Sequence, residues 1–123
     1  MTQGTKYDSS TAVTGTQSLT ATSDKFQFID PAGNVNVDLP DLRNATNTTT
    51  SGTGTVGTAL YSDQSAGHFT ISNTANAGEV ITVRGWNGSS TTGTICTPAR
   101  DETAYLDWTG NVSGWIGVAA ADS

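Results

Sequence analysis

The sequence predicts an all-β fold: a single-domain antiparallel β-sandwich or β-barrel with a flexible N-terminal arm. Three observations carry this expectation. Short apolar–polar alternations of period two recur along the chain. Turn residues separate them at the roughly 8–12-residue spacing of sandwiches and barrels. No segment sustains the periodicity of a helix. Threonine, with 23 of the 123 residues, is β-branched and suits half-buried strands.

Residues 1–16 are poor in apolar groups and read as the arm, which leaves 17–123 as one β domain. A first strand is expected near Gln17–Thr22. The next covers Lys25–Ile29, with Phe26 and Phe28 on one face and Gln27 and Ile29 on the other. Asp30-Pro31-Ala32-Gly33-Asn34 is a turn signal. Val35, Val37 and Leu39 then alternate with Asn36 and Asp38, so 25–39 reads as a β-hairpin that Pro40 ends. Residues 43–58 are almost wholly polar and read as a long surface loop. Six further strands are expected at Ala59–Ser62, His68–Asn73, Val80–Gly85, Thr94–Thr97, Thr103–Trp108 and Gly114–Val118. Ala66-Gly67, Asn76-Ala77-Gly78, Asn87-Gly88, Pro98–Asp101 and Gly110-Asn111 supply the turns between them.

Composition narrows the functional classes. Val, Ile, Leu and Phe together number 21, and the formal net charge is −6. Low charge separates the chain from disordered sequences of similar apolar content. So thin a core favours further burial through self-association or docking. The acidic balance, with Lys6, Lys25, Arg43, Arg84 and Arg100 scattered, gives no basic stripe for nucleic acid. No apolar run is long enough to span a bilayer as a helix. Residues 1–24 lack the apolar core of a signal peptide, so a protein made and used inside a cell, or assembled there and released by lysis, is expected.

Reactive groups are sparse. The single Cys96 allows no intrachain disulfide and reads as a small buried hydrophobe. His68 is the only histidine; a Ser–His–Asp arrangement around it stays open, but no nucleophile motif accompanies it. Two Cys or His residues fall short of a zinc site, and no calcium-loop, P-loop or dinucleotide spacing occurs. The expectation is a non-enzymatic protein without cofactor or metal. Asn44, Asn47, Asn87 and Asn111 open Asn-x-Ser/Thr sequons, which chance explains in a chain this rich in Asn, Ser and Thr.

The aromatic residues of the last third are the candidate contact residues. Trp86, Trp108, Trp115 and Tyr105 read as core and subunit contact, or as a sugar-stacking platform. Trp108 and Trp115 are placed on the two arms of a terminal hairpin, with Trp108 expected in the core and Trp115 at its margin.

Four phrases follow in order: F-Q-F-I-D-P-A-G-N-V-N-V-D-L-P (Phe26–Pro40), F-T-I-S-N-T (Phe69–Thr74), I-T-V (Ile81–Val83) and A-Y-L-D-W-T-G-N-V-S-G-W-I-G-V (Ala104–Val118). This order resembles a pattern of small structural proteins of tailed bacteriophages. Over residues 17–118 the chain resembles the modules of capsid decoration (cement) proteins and head fibres. The 43–58 stretch has no counterpart in that pattern. The resemblance implies a virion structural protein on the outer surface of the capsid. It would bind the major capsid protein and stabilise the lattice, commonly as a homotrimer matched to a three-fold site. The alternative it leaves is a head or tail fibre, or a glycan-binding attachment module. It brings no catalytic residue.

Overall fold

A computed structural model describes residues 6–9, 11–20, 23–43 and 67–122. Nine strands follow in order: β1 (Lys6–Asp8), β2 (Thr16–Ser18), β3 (Phe26–Ile29), β4 (Val35–Asp38), β5 (His68–Asn73), β6 (Ile81–Gly85), β7 (Gly93–Cys96), β8 (Glu102–Trp108) and β9 (Trp115–Ala121). No α-helix occurs among the described residues. The strands form two sheets, ordered β1-β3-β5-β8-β9 and β2-β4-β6-β7. The fold is all-β and sandwich-like, and neither sheet closes into a barrel.

The sheets are mixed rather than purely antiparallel. β1, β3 and β5 run parallel in one sheet, and β2, β4 and β6 run parallel in the other. The chain therefore winds from sheet to sheet in stacked coils. Lys6 pairs with Phe26 and Thr16 with Asn36, each twenty positions on (26 − 6 and 36 − 16). The next coil is longer: Phe26 pairs with Thr70, 44 positions on (70 − 26). The connection 39–67 holds the excess. Antiparallel β7, β8 and β9 then complete the two sheets.

This winding corrects the hairpin expected over 25–39. β3 and β4 lie in different sheets and do not pair. Asp30–Asn34 is a corner, not a hairpin turn. Its backbone is tied to the coil before it: the Val13 N–H donates to the Asp30 carbonyl at 2.8 Å, and the Ala32 N–H to the Val13 carbonyl at 2.8 Å. The N-terminal segment is also partly structured, because residues 6–8 and 16–18 are strands paired into the sheets. The expected strand at 59–62 and most of the 43–58 loop lie outside the described residues.

The core forms where inward side chains of the two sheets meet. Ile29, Phe69, Ile71, Ala104, Leu106 and Trp115 come from the five-stranded sheet; Val35, Val37, Ile81 and Val83 come from the other, with Leu39 and Leu42 beside them. Each fully buried aliphatic or phenylalanine side chain contributes about 1.5–3 kcal/mol. Strand alternation turns every second residue away from this layer, and that outer face carries the site.

Candidate functional site

The terminal hairpin decides which aromatics are available for contact. Trp108 pairs directly with Trp115 across β8 and β9, so both rings project to the same, inward face. Trp115 is 2% exposed. Its indole N–H donates to the Pro40 carbonyl at 2.9 Å. Its ring meets Phe69 at 5.9 Å and stands edge-on to Trp108 at 5.6 Å. Gly85 of β6 gives it room: a Cβ there would lie 2.8 Å from the Trp115 ring. Trp108, at the strand end, is partly buried against the core. The sequence-based assignment is thus reversed, with Trp115 in the core and Trp108 at its margin. Direct pairing puts the two rings on one face, and Trp108 lies nearer the lip of the sandwich.

Trp86 is half-buried beside the hairpin loop. Its indole N–H donates to the Asn111 carbonyl at 2.8 Å. The Arg43 guanidinium lies 3.8 Å from its ring centroid, a cation–π contact. Asp41 holds that guanidinium through bonds of 3.0 Å to Nε and 2.7 Å to Nη2, and this hydrogen bonding raises the Arg43 pKa above its ordinary value. The three tryptophans therefore share no exposed platform.

With Trp115 inside, alternation drives Ile116 and Val118 outward; they are 55% and 64% exposed. The ladder continues this row. Val118 pairs with Tyr105, Tyr105 with Thr70, and Thr70 with Phe26. Tyr105 is 47% and Phe26 40% exposed. Four adjacent strands thus present Phe26, Thr70, Tyr105 and Val118 side by side, with Ile116 next to them. Covering the four apolar side chains, each about half exposed, would recover on the order of 3–6 kcal/mol before association costs. Of the expected contact residues, only Tyr105 lies on this face. Phe26, Ile116 and Val118 were missed as site residues. The signal for two of them was present, since Ile116 and Val118 alternate with a tryptophan and a glycine.

One polar constellation borders the row. His68 pairs with Asp107 across β5 and β8, and Asp107 with Ile116. His68 Nδ1 lies 2.9 Å from Asp107 Oδ1, and its Nε2 lies 3.3 Å from Thr70 Oγ1. In the neutral ring the bonds are satisfied if Nδ1–H donates to the carboxylate and Nε2 accepts from the threonine hydroxyl. The order carboxylate–imidazole–hydroxyl is that of a nucleophilic triad. β5 lies between β3 and β8, and the Thr70 N–H donates to the Lys25 carbonyl at 2.8 Å. On this face the pair satisfies two polar groups at the edge of an apolar row.

The four-stranded sheet carries a different surface. Arg84 and Asp38, neighbours on β6 and β4, form a bidentate pair of 2.7 and 2.8 Å. Hydrogen bonding to Asp38 raises the Arg84 pKa. Cys96 on β7 is half-buried, and desolvation pushes its thiol up to about 11, which favours the protonated form near neutrality. Among the described residues no group of three or more His, Cys, Asp or Glu side chains could hold a metal ion. No known family model, curated protein or solved structure matches this chain.

Proposed function

We propose that the chain is a virion structural protein of the capsid decoration type, which works by adhesion to the outer surface of a tailed-phage head. The observation that carries this reading is the exposed row of Phe26, Tyr105, Ile116 and Val118 on one sheet face. A thinly filled domain gains burial by placing such a face against another protein. Aromatic and aliphatic side chains on a flat sheet suit a broad contact rather than a small-molecule cleft. The phage identity rests on the resemblance of the Phe26–Pro40 and Ala104–Val118 phrases. The partner is the major capsid protein, and three copies grouped at a three-fold lattice site belong to the same proposal.

Co-sedimentation with expanded, undecorated heads tests it. The wild-type protein is expected to pellet with heads and to saturate. Tyr105→Ser combined with Val118→Ser is expected to weaken binding at least about tenfold, as loss of central apolar anchors does. Both positions are exposed, so the thermal midpoint should scarcely change. Failure of wild-type protein to bind heads, or equal binding by the folded double variant, would contradict the proposal.

A further inference from the structure

Both sheets stop together at one end of the coil stack. β1 and β2 are their outermost strands, each three residues long. Between them opens a cleft of about 410 Å³, lined in part by Tyr7, Val13, Gln17, Leu19, Gln27 and Ile29. Among the described residues it is the interior of the first coil, with no further strand beyond β1 and β2. Such an end exposes interior surface and two rows of backbone groups, which stacked-coil proteins cover.

The backbone phase of the two edges is matched. The Ser9 N–H donates to the Phe28 carbonyl and the Leu19 N–H to the Asp38 carbonyl. Alternate residues of a strand turn their N–H and C=O to opposite sides. Tyr7 and Gln17 therefore direct these groups into their own sheets. Lys6 and Asp8 on β1, and Thr16 and Ser18 on β2, present theirs on the free side. Each edge is thus centred on a residue that lines the cleft.

We propose that this end binds a second copy of the chain, head to head about a two-fold axis. An axis normal to both sheets, passing beside Tyr7 and Gln17, pairs β1 with its own copy and β2 with its own copy, both antiparallel. The register sets the Lys6 backbone opposite that of Asp8 of the second copy, and Asp8 opposite Lys6. On the other edge Thr16 meets Ser18. Each of these pairs exchanges both of its backbone hydrogen bonds. The two clefts close on each other and cover Tyr7, which is 40% exposed. A head-to-tail contact would instead set three-residue β1 against seven-residue β9 and propagate without closing. The end contact is separate from the apolar sheet face and doubles any assembly made there, turning a trimer into a hexamer.

Sedimentation velocity of the full chain across the micromolar range tests this, with only even-numbered oligomers expected. Asp8→Pro combined with Ser18→Pro removes N–H groups on the free side alone, where an edge strand accepts proline. The association constant is expected to fall at least about tenfold, with the circular dichroism spectrum unchanged. Should that variant unfold, Ser18→Pro alone decides: it removes a free-side N–H from β2 of each copy and should still weaken association. A wild-type protein that is monomeric or odd-numbered, or undiminished association of the folded proline variant, would overturn the proposal.

Discussion

Trp115→Ala is expected to lower the unfolding free energy by about 3–5 kcal/mol, and Trp108→Ala by clearly less. The difference follows from position. Trp115 lies between Phe69 and Trp108 and against Gly85. Its truncation leaves a cavity at the junction of both sheets. It also strands the Pro40 carbonyl, which accepts the indole N–H at 2.9 Å, and an unsatisfied buried acceptor adds its own cost. The backbone beside it is closely tied to Trp86. Gly114, at φ +69°, sits against the Trp86 carbonyl, and the Trp115 N–H donates to that same oxygen at 2.8 Å. Trp108 touches the core from its margin and loses less. Urea denaturation of the two single variants measures the difference. Equal losses, or a larger loss at Trp108, would show that the hairpin is set differently.

Asn73→Ala is expected to cost about 2–4 kcal/mol, although it removes no apolar group. Asn73 is 1% exposed at the end of β5. Its amide N–H groups donate to the carbonyls of Glu79 and Pro98, each at 3.0 Å, and its Oδ1 accepts the Ala75 N–H at 2.9 Å. One side chain thus satisfies three backbone groups and joins the β5–β6 corner to the β7–β8 connection. Asn73→Asp should cost more still, because a carboxylate cannot donate and would face two carbonyls. Urea denaturation of both variants checks the order. A change under about 0.5 kcal/mol for Asn73→Ala, the level of a neutral surface substitution, would contradict this role.

Strand positions were legible in the sequence because period two and turn residues are local signals. His68–Asn73 was read to the residue, and most other described strands to within one or two at the ends. Strand partners were not legible. Alternation of Val35, Val37 and Leu39 states that one face is buried, and it is the same whether the neighbour is a hairpin arm or an earlier coil. The Asp30–Asn34 link is long enough for either. What decides is the pairing of its corner with Val13, a contact between distant parts of the chain.

The site was legible only in part, for a related reason. In Phe26-Gln27-Phe28-Ile29 the alternation separates two faces without ranking them, and side-chain hydrophobicity alone would put both phenylalanines inside. The fold buries Gln27 and Ile29 instead. Gln27 is satisfied there by donating to the Asp24 carbonyl at 2.7 Å, so its burial carries a smaller penalty. Phe26 then joins Tyr105 and Val118 outside. Tyr105 was singled out for its residue type; Ile116 and Val118 needed the knowledge that Trp115 faces inward.

The most direct test of the adhesion account is an electron cryo-microscopy map of expanded heads saturated with the protein. The account predicts molecules on the outer lattice with Tyr105, Ile116 and Val118 turned against capsid protein. Bare heads, or bound molecules whose five-stranded sheet turns that row to solvent, would contradict it.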